Sequence, residues 1–85
     1  MMVAPHNCCT PIGTMASVHS SSTIPNLLAV EFHSVAVPWW NRLVKGDKPL
    51  IENGYIELTD KPGLGIEVDE KEACKHLWEG EAFFE

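Results

Sequence analysis

The sequence predicts an α/β fold built around a βαβ unit, and three observations carry that prediction. The run from Leu27 to His33 is short, apolar almost throughout and entered from Pro25-Asn26. Such a run between turn residues marks a strand buried on both faces. Met1 to Pro5 is a second short apolar stretch and reads as the end of a strand. Between the two, Thr10-Pro11 opens a helix, with a hydroxyl at the N-cap and proline at the first helical position. Strand end, loop, helix, loop and strand in that order require a parallel pair and a right-handed crossover.

The elements follow in order. His6 to Cys9 is a loop, and the helix begins at Thr10-Pro11. Ile12, Met15, Ala16 and His19 fall on one face at helical spacing. Gly13, Ala16 and Ser17 are small enough to let that helix sit close to a sheet. Ser20 to Pro25 is a polar exit into the strand that holds Glu31. Val35 to Trp40 is an apolar connection, and Asn41 to Val44 has the length of one helical turn. After a loop from Lys45 to Pro49, Glu52-Asn53-Gly54 lies between the β-prone runs Leu50-Ile51 and Tyr55–Leu58, a hairpin signal. Lys61 to Gly65 is turn-rich and Ile66–Val68 extended. Asp69 and Glu72 have capping-box spacing at the start of a last helix, with Ala73, Cys74, Leu77 and Trp78 as its buried stripe and Gly80 as its stop. Glu81 to Glu85 is an acidic, aromatic tail. A lone βαβ unit has open edges and uncovered faces, so the expectation is that this chain is the end of something longer.

Composition narrows the function classes. Eighty-five residues make one small domain or a piece of a larger one, with a modest core. Net charge is −6 and the six Lys and Arg are scattered, which argues against a nucleic-acid groove. Three cysteines, two of them adjacent, make no disulfide framework, and a reducing cytoplasm fits them best. No apolar run is long enough to cross a membrane, and no signal peptide is expected at the start.

One carboxylate stands out. Glu31 lies near the end of the apolar run, where a charge is costly unless it is paired, metal-bound or in use. His6 follows Pro5 at the end of the other strand. In a parallel sheet both sit at the C-terminal edge of neighbouring strands, where active sites collect. A His and a carboxylate there are natural acid/base and hydrogen-bonding partners for a substrate. The competing reading makes His6 a loop residue that caps the helix and Glu31 a solvated strand end. Cys8 and Cys9 with His6 or His19 lack the second ligand pair of a structural zinc site, so packing or a helix N-terminal position explains them better. His19 reads as a core histidine, His33 as facing a layer of helices and His76 as exposed. Trp39-Trp40 reads as a hydrophobic plug under the loop. Gly63-Leu64-Gly65 lacks the Lys and the Ser or Thr of a phosphate loop.

Several motifs occur together in a set order: Val3-Ala4-Pro5-His6-Asn7, Pro11-Ile12-Gly13, Pro25-Asn26-Leu27-Leu28-Ala29-Val30-Glu31 and Lys61-Pro62-Gly63-Leu64-Gly65-Ile66-Glu67-Val68-Asp69-Glu70. The ordered set resembles the C-terminal end of the mandelate racemase/muconate lactonizing enzymes of the enolase superfamily, and among them the galactonate dehydratase-like sugar-acid dehydratases. The resemblance implies the C-terminal piece of a (β/α) barrel: the end of strand 7, helix 7 and strand 8 within residues 1–37. Residues 38–85 would follow as a C-terminal segment, with a hairpin and a short helix, that packs on the barrel and a capping domain. It implies a parent hydro-lyase that removes the proton α to a carboxylate, holds the enolate on Mg²⁺ and eliminates water. His6 matches the histidine that gives a proton to the departing hydroxyl, or acts as a base in a racemase. Glu31 matches the glutamate that hydrogen-bonds the substrate carboxylate, a role that needs Glu31 protonated or a proton shared with that oxygen, which an apolar strand end favours. The acidic Mg²⁺ ligands come from earlier strands and are not in this chain, nor is the carboxylate that usually orients the histidine. The chain alone is therefore expected to be inactive. The partners implied are a sugar-acid substrate, the remainder of the barrel and its capping domain, and further copies in a homo-oligomer. The alternatives are a racemase or cycloisomerase parent, or a non-catalytic interaction module.

Overall fold

The computed structural model describes residues 1–46, 48–77 and 80. Helix α1 spans Pro11–Ser21 and begins where Thr10-Pro11 placed its start. The Thr10 hydroxyl makes no cap bond; the Thr10 carbonyl instead accepts from the Thr14 N–H at 2.9 Å. The buried residues of α1 are Pro11, Thr14, Met15 and Ser21. The expected stripe is therefore rotated: Ile12 and Ala16 are exposed, Met15 is buried and His19 is half-buried. The reason is polar. Asn7, only 1% exposed, donates from Nδ2 to Thr14 Oγ1 at 3.1 Å, and that bond turns the Thr14 side of the helix inward.

The two segments expected as strands lie side by side and parallel, but among the described residues neither makes a regular strand. Val3 bridges Leu27, with Val3 N–H donating to the Asn26 carbonyl at 2.8 Å and Leu28 N–H to the Val3 carbonyl at 2.7 Å. The next two bonds run from Glu31 N–H to the Pro5 carbonyl and from His33 N–H to the Asn7 carbonyl, both 3.0 Å. From Val3 to Pro5 is two residues, but from Leu28 to Glu31 is three, so the second segment carries one extra residue. Pro5 has no N–H to give, which removes one bond of the ladder at that point. A bulge beside a proline is why the pairing persists without forming a continuous strand.

The extra residue sets which side chains share a face. Past it, His6 lies opposite Glu31 and Asn7 opposite Phe32. Burial follows that register: Val3, Pro5, Asn7, Leu27, Val30 and Phe32 are covered or half-covered on the α1 side. Ala4, His6, Leu28, Glu31 and His33 are exposed on the other. The expectation of a strand buried on both faces is thus corrected. Only one face is covered, and Leu28 is 68% exposed.

Downstream, a 3₁₀ turn at Ser34–Ala36 and another at Asn41–Leu43 frame Trp39-Trp40. Trp40 is the expected plug: it is buried, meets Phe32 edge-on at 4.9 Å and donates from Nε1 to the Cys9 carbonyl at 2.9 Å. The hairpin forms as a single bridge between Glu52 and Tyr55, with Asn53 (φ 51°) and Gly54 (φ 80°) at its tip. Val68 bridges Val44, which ties the extended Ile66–Val68 segment to the second 3₁₀ turn. Helix α2 covers only Glu70–Cys74. Asp69 caps it by accepting from Glu72 N–H at 3.2 Å, but Glu72 does not reach back. Its carboxylate binds Lys75 and His76 instead, while Asp69 N–H goes to the Leu43 carbonyl. The expected apolar stripe of this helix is corrected: Glu72 is the buried residue, Ala73 is half-buried, and Cys74 and Leu77 are exposed. The helix packs on the turn at Asn41–Leu43. Trp78 and the tail from Glu81 to Glu85 lie outside the described residues.

The core is small. Among the described residues Met15, Trp40 and the ring of Pro11 are the buried apolar side chains, whereas Leu28, Val35, Tyr55 and Leu58 are exposed. The radius of gyration is 14.0 Å, where a compact chain of this length would have about 12 Å. Heating the isolated chain should therefore give a broad transition by circular dichroism, with self-association as concentration rises. A monomer that melts in one sharp cooperative step would contradict this account.

Candidate functional site

His6 and Glu31 meet. His6 Nδ1 is 2.9 Å from Glu31 Oε2, across the parallel pair. The backbone explains the contact: the extra residue before Glu31 turns its side chain onto the His6 face. Without that residue Glu31 would lie opposite Asn7, on the covered face, because a one-residue shift inverts every side chain.

A third group joins them. His33 Nε2 lies 3.1 Å from the same Oε2, and the His6 and His33 rings are 5.2 Å apart between centroids. In extended backbone, residues two apart share a face, and Glu31 and His33 obey that rule. His33 therefore does not face the helix layer, as the sequence suggested. Its spacing from Glu31 was the signal that could have found it.

The electrostatics are those of an ionised carboxylate. Hydrogen bonds from His6 first and His33 second hold the Glu31 carboxyl below the usual range. Partial burial opposes them, and the charges of the two rings assist. An ionised carboxylate only accepts, so the ring nitrogens facing it carry their hydrogens. The apolar setting expected around Glu31 is absent in the chain by itself, since the Glu31 side chain is 44% exposed. His6 Nε2 and Glu31 Oε1 have no hydrogen-bond partner among the described residues.

The scaffold beneath the site is polar and buried. Asn7 Oδ1 accepts from Cys9 N–H at 3.1 Å. The Cys9 carbonyl accepts from Ser34 Oγ at 3.2 Å and from Trp40 Nε1. Gly13 permits the approach, since a Cβ there would stand 2.7 Å from that of Cys9. Asn7 carries the loop that presents His6, a role its place in the motif did not reveal.

The remaining candidates lie elsewhere. His19 points inward as expected, with Nε2 2.9 Å from the Leu64 carbonyl. His76 is not free: it stacks on Trp39 at 3.7 Å and pairs with Glu72 at 2.9 Å. Cys8, Cys9 and Cys74 are free and exposed. A broad groove of about 800 Å³, lined by Val44, Leu50, Ile56 and Ile66 among others, contains neither His6 nor Glu31.

The lowered Glu31 carboxyl has a signed consequence. The favourable contact exists above the ordinary glutamate range and is lost as pH falls through the lower value of the folded chain. Carboxyl ¹³C shifts should show Glu31 titrating low. His6→Ala should raise its midpoint more than His33→Ala. A midpoint indifferent to both substitutions would exclude the shared-oxygen arrangement.

Comparison with known proteins agrees with the motif order. Residues 1–72 match the family model described as Enolase C-terminal domain-like. The chain is 48% identical over 83 residues to a D-xylonate dehydratase of Haloferax volcanii, covering 98% of this chain and 20% of that protein. It is 39% identical over 80 residues to a D-gluconate/D-galactonate dehydratase of Picrophilus torridus, covering 93% of this chain and again 20% of the relative. The fold superposes with a TM-score of 0.88 and 40% identity on a mandelate racemase/muconate lactonizing enzyme-like protein from Rubrobacter xylanophilus, over 93% of this chain and 20% of that one. The chain thus spans about 20% of the length of the proteins it matches, and its motifs, its fold and its matched residues make it a member of the enolase C-terminal domain-like family.

Proposed function

We propose that this chain is the barrel-closing part of a sugar-acid dehydratase, a hydro-lyase that removes the proton α to a carboxylate and eliminates water. The observation that carries the reading is the 2.9 Å contact of His6 with Glu31 on the face that α1 leaves open. In a (β/α) barrel the helices cover the outside, so the face away from the helix is the interior, and the site lies at the C-terminal strand ends. The relatives named as sugar-acid dehydratases support the substrate class. In this reading residues 1–37 supply the end of strand 7, helix 7 and strand 8, and residues 38–85 run back toward the capping domain. The free cysteines suit a cytoplasmic setting.

The residues divide the work as follows. His6 gives a proton to the departing hydroxyl, and its Nε2, which has no partner among the described residues, is the nitrogen placed to do so. Glu31 holds the other side of the ring through Nδ1, the orienting part that no other carboxylate among the described residues takes. Its second oxygen is left for the substrate. Donation from that oxygen requires Glu31 to take up a proton, which the two histidines oppose. Exclusion of water by the rest of the barrel would shift that balance.

The resemblance also implies Mg²⁺. The cluster found in this chain does not fit it: His6, Glu31 and His33 offer two nitrogens and one carboxylate, whereas Mg²⁺ takes an octahedron of oxygens. In the proposed parent its ligands lie outside these residues. Calorimetric titration of the chain with Mg²⁺ should give no specific heat, and stoichiometric micromolar binding would reveal an oxygen site in it.

A segment exchange tests the main reading. The chain replaces the matching residues of the Haloferax volcanii D-xylonate dehydratase, and turnover of D-xylonate is measured. The exchange should preserve dehydration. Within it, His6→Asn should cost on the order of 10²–10⁴-fold in dehydration. It should still allow exchange of the α-proton with solvent deuterium, because a base on the other face of the substrate starts the reaction. Glu31→Gln should be milder than Glu31→Ala, which leaves an enolate oxygen with one partner fewer. Full dehydration by His6→Asn would remove His6 from the role of acid.

A further inference from the structure

Two histidines and a carboxylate converge on the open face. The candidate donor atoms of His6, Glu31 and His33 all lie within 4.8 Å of one another. Two of the three separations, 2.9 Å and 3.1 Å, are already near what neighbouring ligands of one ion need. With metal–nitrogen and metal–oxygen bonds of about 2.0–2.2 Å, adjacent donors stand roughly 3–3.5 Å apart. Only the two rings must draw closer, and both are exposed side chains able to turn. The backbone beneath is held by bonds from Glu31 N–H to the Pro5 carbonyl and from His33 N–H to the Asn7 carbonyl. The three groups therefore come from two segments in a set register, not from one mobile loop.

We propose that His6, Glu31 and His33 form a binding site for a borderline divalent transition-metal ion, Zn²⁺ or Ni²⁺. Two imidazoles and one carboxylate leave positions open for water, as in facial two-histidine, one-carboxylate sites. Nitrogen donors select these ions over Mg²⁺ and Ca²⁺. The ion replaces the hydrogens that now lie between each ring and the carboxylate, so it takes the place of both hydrogen bonds at once. It also occupies the two groups used in the dehydratase reading. The inference does not depend on that reading, because it is read as metal binding to the chain itself.

The competing ligands are the three cysteines and the His76–Glu72 pair. The test therefore starts from a chain with Cys8, Cys9 and Cys74 replaced by Ser. Calorimetry with Zn²⁺ and with Ni²⁺ should give one ion per chain. Imidazole ¹⁵N spectra should shift Nδ1 of His6 and Nε2 of His33 and leave His19 and His76 unmoved. His33→Gln and Glu31→Gln should each weaken binding by at least the roughly 10–100-fold that even an outer-shell partner is worth. His76→Gln should leave it unchanged. The proposal is overturned if binding disappears with the cysteines, survives His33→Gln and Glu31→Gln undiminished, or follows His76. Circular dichroism of each variant separates lost ligands from lost structure; these exposed positions should leave the spectrum intact.

Discussion

The buried amide of Asn7 is the constraint on which the rest of the chain depends. Its Nδ2 holds Thr14 on α1, its Oδ1 holds the Cys9 N–H, and its carbonyl receives His33 N–H. One residue thereby joins the helix, the loop and the second extended segment. A side chain 1% exposed can keep such polarity only if its polar atoms are answered, and these are. The Cys9 carbonyl extends the network to Ser34 and to the buried Trp40. Cooperative polar contacts thus do work that a core this small cannot do by apolar burial alone.

The site is a product of register. His6 follows a proline that cannot donate to the ladder, and Glu31 follows an extra residue in the neighbouring segment. Either feature read alone is a defect in a strand. Together they place His6, Glu31 and His33 on one face and Asn7 and Phe32 on the other. A bulge next to a site re-aims a side chain at small cost, because the chain on both sides keeps its pairing. The same face carries Leu28, a large exposed apolar residue beside charged and polar neighbours. An apolar and a chemical group exposed together suit a surface that another body covers, which is the setting the dehydratase reading supplies.

The electrostatics change with that setting. In the chain by itself solvent reaches Glu31, and two histidines stabilise its charge. Enclosure would weaken hydration and strengthen both contacts, so the balance between an orienting anion and a proton-sharing donor depends on what surrounds it. The two proposed chemistries thus use the same side chains through different atoms: proton transfer at His6 Nε2 and the second Glu31 oxygen, and metal coordination at His6 Nδ1, His33 Nε2 and Glu31 Oε2.

Much of the local structure was legible in the sequence. Proline at the first helical position and the polar exit bounded α1, Asn53-Gly54 made the hairpin tip, and Asp69 capped α2, because each of these is settled within a few residues of chain. Residue order also sufficed to single out His6 and Glu31, since a charge in an apolar run stands out without any coordinates. What only the tertiary structure decided is the contact between segments. The buried face of α1 was turned by a bond to Asn7, the buried Glu72 was paired with Lys75 and His76, and His33 was brought to Glu31. The alternation of a strand predicts faces only while pairing stays in step, and the step was lost between Leu28 and Glu31. No local propensity records where a neighbouring segment will demand an extra residue, so the geometry of the site belongs to the pairing and not to either stretch of sequence.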